Sequence, residues 1–246
     1  IFKRNLFICI IIVIVCTLLA HPLFAADSAP AKKWKDTAEF SLVSANGNSK
    51  ATSISGKNTF TYQWTRTVLE LSAGGLGTES ENRQTAEQYF ANEKLGWTIV
   101  GKNYAYERFG WDKDRFYGIL NRYDLSAGVG RTLLDLTKDK LNGEVGAGYI
   151  NEERDNSPRK DFGSGRAYTK YTRMFTDTSN FSQDIEYLVS FNDENEYRLK
   201  TESALITSVS TNISLKISYI WKRVNKPTPG FSKDDTITSA ALIINY

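Results

Sequence analysis

One periodicity governs this chain. Between residues 213 and 222 the odd positions hold Ile213, Leu215, Ile217, Tyr219 and Trp221, and the even ones hold Ser214, Lys216, Ser218, Ile220 and Lys222. A period of two sends successive side chains to opposite faces of a β-strand, so one face here is apolar and the other mostly polar. The pattern returns at 181–191, 141–149 and 123–130, and less cleanly at 36–45, 51–62, 67–77, 86–96, 103–111, 164–175, 197–207 and 235–246. It predicts twelve strands and little else. Prolines agree, because a central strand rejects a residue without an N–H. None occurs between Ala31 and Ser157, and Pro158, Pro227 and Pro229 fall in the longest polar connections, 152–162 and 225–234. Connections alternate in character: the odd ones are polar and reach the greatest lengths. Most even ones are tight (63–66, 176–179, 208–211), with 97–102 and 131–140 as longer exceptions.

Residues 1–25 read differently. Lys3 and Arg4 precede an apolar run, and Leu23-Phe24-Ala25 follows it, the order of a cleaved secretory signal; 26–33 then reads as a flexible leader and 34–246 as the folded body. Both cysteines, Cys9 and Cys16, and the one histidine, His21, lie in this segment. Without it the chain has no thiol or imidazole, which excludes disulfides, Cys/His zinc sites and triads that need a histidine base. The formal charge falls from +3 to +1, so a nucleic-acid partner is not supported. The body is about 37% apolar, too polar for helical membrane spans.

Twelve antiparallel strands could build a soluble sandwich or a closed barrel in an outer membrane. The barrel needs an even strand count, apolar residues outward, a polar lumen, short turns at one end and longer loops at the other. It also explains why Trp34, Trp64, Trp97, Trp111 and Trp221 stand near strand ends, where interfacial aromatics sit. The chain closes on Tyr246, with Ile244, Leu242 and Ala240 behind it at period two. A final strand ending on an in-register aromatic resembles the signal read by the barrel-assembly machinery. The fold expected is an all-β, closed antiparallel transmembrane β-barrel of about twelve strands.

A narrower resemblance rests on Trp34, on the tip Asn46-Gly47-Asn48, and on Tyr104-Ala105-Tyr106-Glu107-Arg108-Phe109. Asp112, Phe116, Leu120-Asn121-Arg122-Tyr123 and Gly128-Val129-Gly130 extend it. In these motifs the chain resembles the YdiY-type family of salt-induced outer-membrane proteins, over roughly residues 34–246. The resemblance implies a Gram-negative cell outer-membrane barrel, carries over no catalytic or ligand residues, and suggests a link to salt or osmotic stress.

Outer-membrane enzymes of the common kinds use a histidine base, and no histidine follows His21. The acidic pairs Glu152/Glu153, Asp193/Glu194 and Asp234/Asp235 fall in expected loops, where solvated charge explains them. The chain is therefore read as non-enzymatic, with no cofactor and no metal site. Extending the alternation places Glu39, Lys57, Glu70, Arg122, Asp124, Glu144, Lys170, Asp184, Glu186, Arg198, Lys200, Glu202, Lys216 and Lys222 in the lumen. Seven of the fourteen are acidic, so this is no single-sign ring of the kind that selects ions by charge. Glu93 and Glu107 share a face with apolar neighbours, which a bulge or a displaced strand boundary would explain. Structure or a narrow channel for small solutes or ions is the leading reading, with outer-membrane lipid and the assembly machinery as partners. The alternative is a surface adhesin acting through its loops.

Overall fold

Alternation becomes pairing in the computed structural model, which describes residues 32–46, 51–80 and 83–246. The expected signal at 1–25, most of the leader and the tip beyond Asn46 lie outside the described residues. The described residues form β1 (Trp34–Asn46), β2 (Ala51–Gln63), β3 (Thr67–Ser80), β4 (Arg83–Val100), β5 (Asn103–Asp114) and β6 (Ile119–Asp135). These are followed by β7 (Asp139–Arg154), β8 (Lys160–Met174), β9 (Ser179–Ser190), β10 (Tyr197–Ser208), β11 (Ile213–Val224) and β12 (Asp234–Asn245). One 3-10 turn, Arg115–Tyr117, stands between β5 and β6. Every strand pairs antiparallel with its sequence neighbours, and β1 pairs with β12, so the sheet closes into a barrel. Closure leaves no open edge of unpaired N–H and C=O groups. The seam runs from Thr37 opposite Asn245 to Asn46 opposite Thr236, and the Tyr246 N–H donates to the Asp36 carbonyl at 2.9 Å.

Several strands outrun the alternation that announces them. β4, β6 and β7 have 18, 17 and 16 residues. Register shifts between Thr98 and Val100, and between Thr132 and Leu134, put an extra residue into a strand and throw the period out of step. The connections expected at 97–102 and 131–140 are therefore tight turns, 101–102 and 136–138. Gly101, at φ 57°, supplies the left-handed residue that a two-residue turn requires. The connection expected at 152–162 shrinks likewise to 155–159, because β7 and β8 continue into it.

Pairing carries one facing right round the wall. Glu39 lies opposite Lys57, Glu70 opposite Lys94, Lys94 opposite Arg108, Glu186 opposite Lys200 and Lys200 opposite Lys222. This face holds the buried charges, Asp124, Glu144, Glu152 and Arg166 among them. The other face carries Leu42, Ile54, Leu125, Val129 and Ile217, each more than half exposed. A polar interior inside an apolar exterior rules out the soluble sandwich, and is the arrangement of a barrel solvated by lipid. Glu93 and Glu107 belong to that exterior. Pairing is regular at both, with Glu93 opposite Phe109 and Leu95 opposite Glu107, and the irregularities in β4 and β5 lie instead at Thr98/Val100 and Asp112/Asp114. Their inward neighbours hold the register, since Lys94 bonds Glu144 and Arg108 bonds Asp124.

Candidate functional site

The inward face assembles a belt in which charges alternate in sign. Starting from Lys57, opposite Glu39, the Lys216 ammonium joins Glu39 at 3.4 Å to Glu202 at 2.9 Å. Lys200 follows on β10, opposite Glu186, whose carboxylate accepts from Arg166 at 2.7 Å. Arg166 also reaches Glu144 at 2.9 Å, and Glu144 accepts from Lys94, which faces Glu70. Beside the belt stand Arg108–Asp124 at 2.8 Å, Lys170–Asp184 at 3.9 Å and Lys222–Asp114 at 3.2 Å. Among the described residues Lys57, Lys200 and Glu70 make no ion pair within 4.0 Å, although Lys200 feels the charges of both Glu186 and Glu202.

Glycines make room for half of this belt. Tyr104 lies opposite Gly130, Tyr106 opposite Gly128, and Gly128 opposite Gly146. A Cβ on Gly146 would run into the Tyr106 hydroxyl and sit 2.5 Å from the Ala127 carbonyl oxygen. With hydrogen there, the tyrosine rings lie against β6 and β7. The Tyr104 hydroxyl donates to Glu144 at 2.8 Å, and the Arg166 guanidinium lies over Tyr168, 4.9 Å from its centroid. Arg166 is absent from the sequence-derived set, yet it shares the even-numbered face with Lys170. Parity carried back through Tyr168 would have found it. Lys94 and Arg108 fall where Glu93 and Glu107 confuse the pattern.

A second hub corrects the reading of Glu152 as a solvated loop carboxylate. β7 continues to Arg154, so Glu152 points inward and is fully buried. It accepts from Arg154, from Arg198 at 2.5 Å, and lies 3.9 Å from Arg122. Arg122 is also held by Asp112 at 2.7 Å, and Arg154 by Glu196 at 2.9 Å. Asp234 and Asp235 likewise stand on β12, and Asp235 is buried. Asp193 does sit in a connection, where a hydrogen bond from the Lys226 ammonium holds its carboxyl below the ordinary range.

The two ends of the lumen differ. At the turn end the inward residues Lys35, Val68, Glu70 and Lys170 are exposed. At the loop end the 115–118 connection folds into the mouth. Tyr117 and Ile119 pack there with Val43, Ala45, Leu76 and Ile237 into a buried apolar cluster. The Tyr117 hydroxyl donates to the Lys222 carbonyl at 3.2 Å, and Gly118, at φ 65°, leaves no space for a side chain beneath Phe231. A cavity of about 330 Å³ is lined by this plug and by belt residues including Glu39, Lys57, Lys200 and Lys216.

Outside, Trp34, Trp64, Trp97 and Tyr246 stand toward the turn end, whereas Trp111 and Trp221 lie toward the loop end. Among the described residues no group of three or more His, Cys, Asp or Glu is placed to hold a metal ion.

The sequence profile of a family described as "Protein of unknown function, DUF481" matches residues 38–246. An Escherichia coli (strain K12) protein described as "Uncharacterized protein YdiY" is 25% identical over 223 residues, spanning 89% of this chain and 86% of that one. In three dimensions the barrel is similar to the NanC porin, with a TM-score of 0.58 and 12% identity over 84% of this chain and 98% of the porin. It is also similar to an outer-membrane channel from Pseudomonas putida F1, at 0.53 and 11% over 92% and 100% of the two chains. The translocator domain of the autotransporter NalP from Neisseria meningitidis gives 0.52 and 13% over 89% and 90%. At such identities the likeness is one of fold.

Proposed function

The chain belongs to the DUF481 family, and we propose that it is a non-enzymatic outer-membrane barrel serving as a narrow conduit for small polar solutes or ions. The interior carries this reading: a charged cavity reaches up to an apolar plug at the loop end, while inward side chains at the turn end are exposed. A barrel filled only for stability would have no need of exposed, unpaired lysines such as Lys57 and Lys200 in its lumen. Twelve strands enclose less space than the 16–18 of general porins, so small solutes are the limit.

The exterior supports the membrane setting. Trp221 lies opposite Thr236, ten residues before Tyr246. At ~3.3 Å per residue and a tilt of ~40°, their levels differ by about 25 Å along the axis, the height of an outer-membrane apolar band. The porin and channel folds point the same way. In this reading residues 1–25 direct export and the Tyr246 strand engages the assembly machinery. Use under salt or osmotic stress suits a lumen crossed by ion pairs, which salt screens. The described loop-end connections of four to nine residues offer an adhesin little surface.

Planar-bilayer recordings of refolded residues 26–246 test the conduit. Tyr117→Ala, which loosens the plug, should raise conductance or open probability over the parent chain. Absence of steps above background in the parent, in Tyr117→Ala and in a variant with 115–117 replaced by Gly-Ser-Gly would end the proposal. Recovery in the soluble periplasmic fraction would end the membrane assignment.

A further inference from the structure

Charge is unequally committed around the cavity. Eight of its lining side chains are basic and five acidic. Each acid has its cation: Glu39 and Glu202 share Lys216, Asp112 holds Arg122, Asp114 holds Lys222, and Glu186 holds Arg166. Three cations do not have an acid to themselves. Among the described residues Lys57 and Lys200 form no hydrogen bond or ion pair, and both are exposed to the interior. Arg198 gives its Nη2 to Glu152 at 2.5 Å, but its Nη1 is buried and has no acceptor.

Position makes these three a group. Arg198 and Lys200 are two residues apart on β10 and so project to the same side, and both line the cavity that Lys57 enters from β2. Lys57 and Lys222 repel Lys200 while Glu202 and Glu186 attract it from beyond ion-pair distance, so several basic side chains converge on one cavity. A buried guanidinium nitrogen normally finds an acceptor. Among the described residues none supplies it, which leaves the position open to an acceptor from outside the chain.

We propose that the cavity is an anion-binding site in which Lys57, Lys200 and Nη1 of Arg198 hold the carboxylate of a small organic acid. The proposal rests on the conduit reading for the ligand's route, not for its recognition. A carboxylate offers two oxygens in one plane, enough to accept from a guanidinium and an ammonium together, whereas a halide offers one centre. About 330 Å³ is at the lower end of small-ligand pockets, roughly 300–1,000 Å³, so the acid is small. Cations and divalent metals find no carboxylate here that is not already engaged.

The test uses the refolded barrel, residues 26–246, with succinate as the probe and tetramethylammonium chloride as the control. Calorimetry should show saturable succinate binding, at least tenfold weaker in Lys57→Gln/Lys200→Gln and in Arg198→Lys. Lys138→Gln, in an exposed turn, should bind as the parent does. In a tenfold KCl gradient the double lysine variant should shift the reversal potential toward that of potassium. Binding that depends on the lysines in a barrel that passes no current would keep the site and remove the conduit. Conductance without succinate binding, and with the same selectivity in parent and variant, would remove the site and keep the conduit. Equal binding in parent and double variant would overturn the proposal outright.

Discussion

Replacing Glu152 by glutamine is the most informative single perturbation of this interior. The change keeps the shape and removes one negative charge from a fully buried position facing three arginines. Two of those arginines have another acid: Arg154 keeps Glu196 at 2.9 Å and Arg122 keeps Asp112 at 2.7 Å. Arg198 has none. The variant thus leaves one buried guanidinium uncompensated, which by experience with buried pairs costs about 3–5 kcal/mol. A Coulomb estimate agrees, since unit charges at ~4 Å with an effective dielectric of ~20 interact by about 4 kcal/mol. Urea unfolding of the barrel in lipid vesicles, followed by tryptophan fluorescence, should show that loss. Glu152→Gln/Arg198→Gln should then recover most of it, because the stranded charge is gone. A Glu152→Gln variant within about 0.5 kcal/mol of the parent, or a double variant no better than the single, would refute the assignment of Glu152 as the counter-charge that Arg198 depends on.

Three further outcomes follow from the wall. Gly146→Val should destabilise the barrel by about 1–3 kcal/mol in the same unfolding assay, because a side chain there displaces Tyr106; tolerance would show that Tyr106 does not depend on that space. Glu93→Leu should leave stability unchanged or raise it by up to about 1 kcal/mol, since Glu93 faces outward among apolar residues; a marked loss would show that the carboxylate has a partner there. Asp193 should titrate below the ordinary carboxylate value of about 3.9 in a carboxyl-detected NMR titration. Its contact with Lys226 is therefore complete above that value and lost as pH falls through the depressed pKa, and Lys226→Ala should bring the midpoint back up. An unshifted Asp193 would contradict the contact.

Much of this architecture could be read from side-chain alternation alone, because inward and outward environments differ so sharply that parity is written into every strand. The limits had a physical source too. Bulges at Thr98/Val100 and Thr132/Leu134 break the period where strands continue, so connections looked longer than they are. Charge near a strand end reads like a loop, as at Glu152, because two of the three arginines that neutralise it, Arg122 on β6 and Arg198 on β10, are distant in sequence. The plug has no signal of its own: Tyr117 and Ile119 fall between the alternating segments 103–111 and 123–130, and only closure of the wall brings Val43 and Ile237 against them.

The seam between β1 and β12 joins residues more than 200 positions apart, as in the Thr37–Asn245 hydrogen bond, 208 apart. Such contacts form late, because the whole intervening chain must be ordered before they can reward it. The outer edge of β1 therefore has no partner until the final strand arrives, and in that interval it is a template for any other strand it meets. Loss of the last dozen residues would not simply trim the wall. It would leave two open edges facing the membrane, making the C-terminal strand the step on which insertion as a monomer depends.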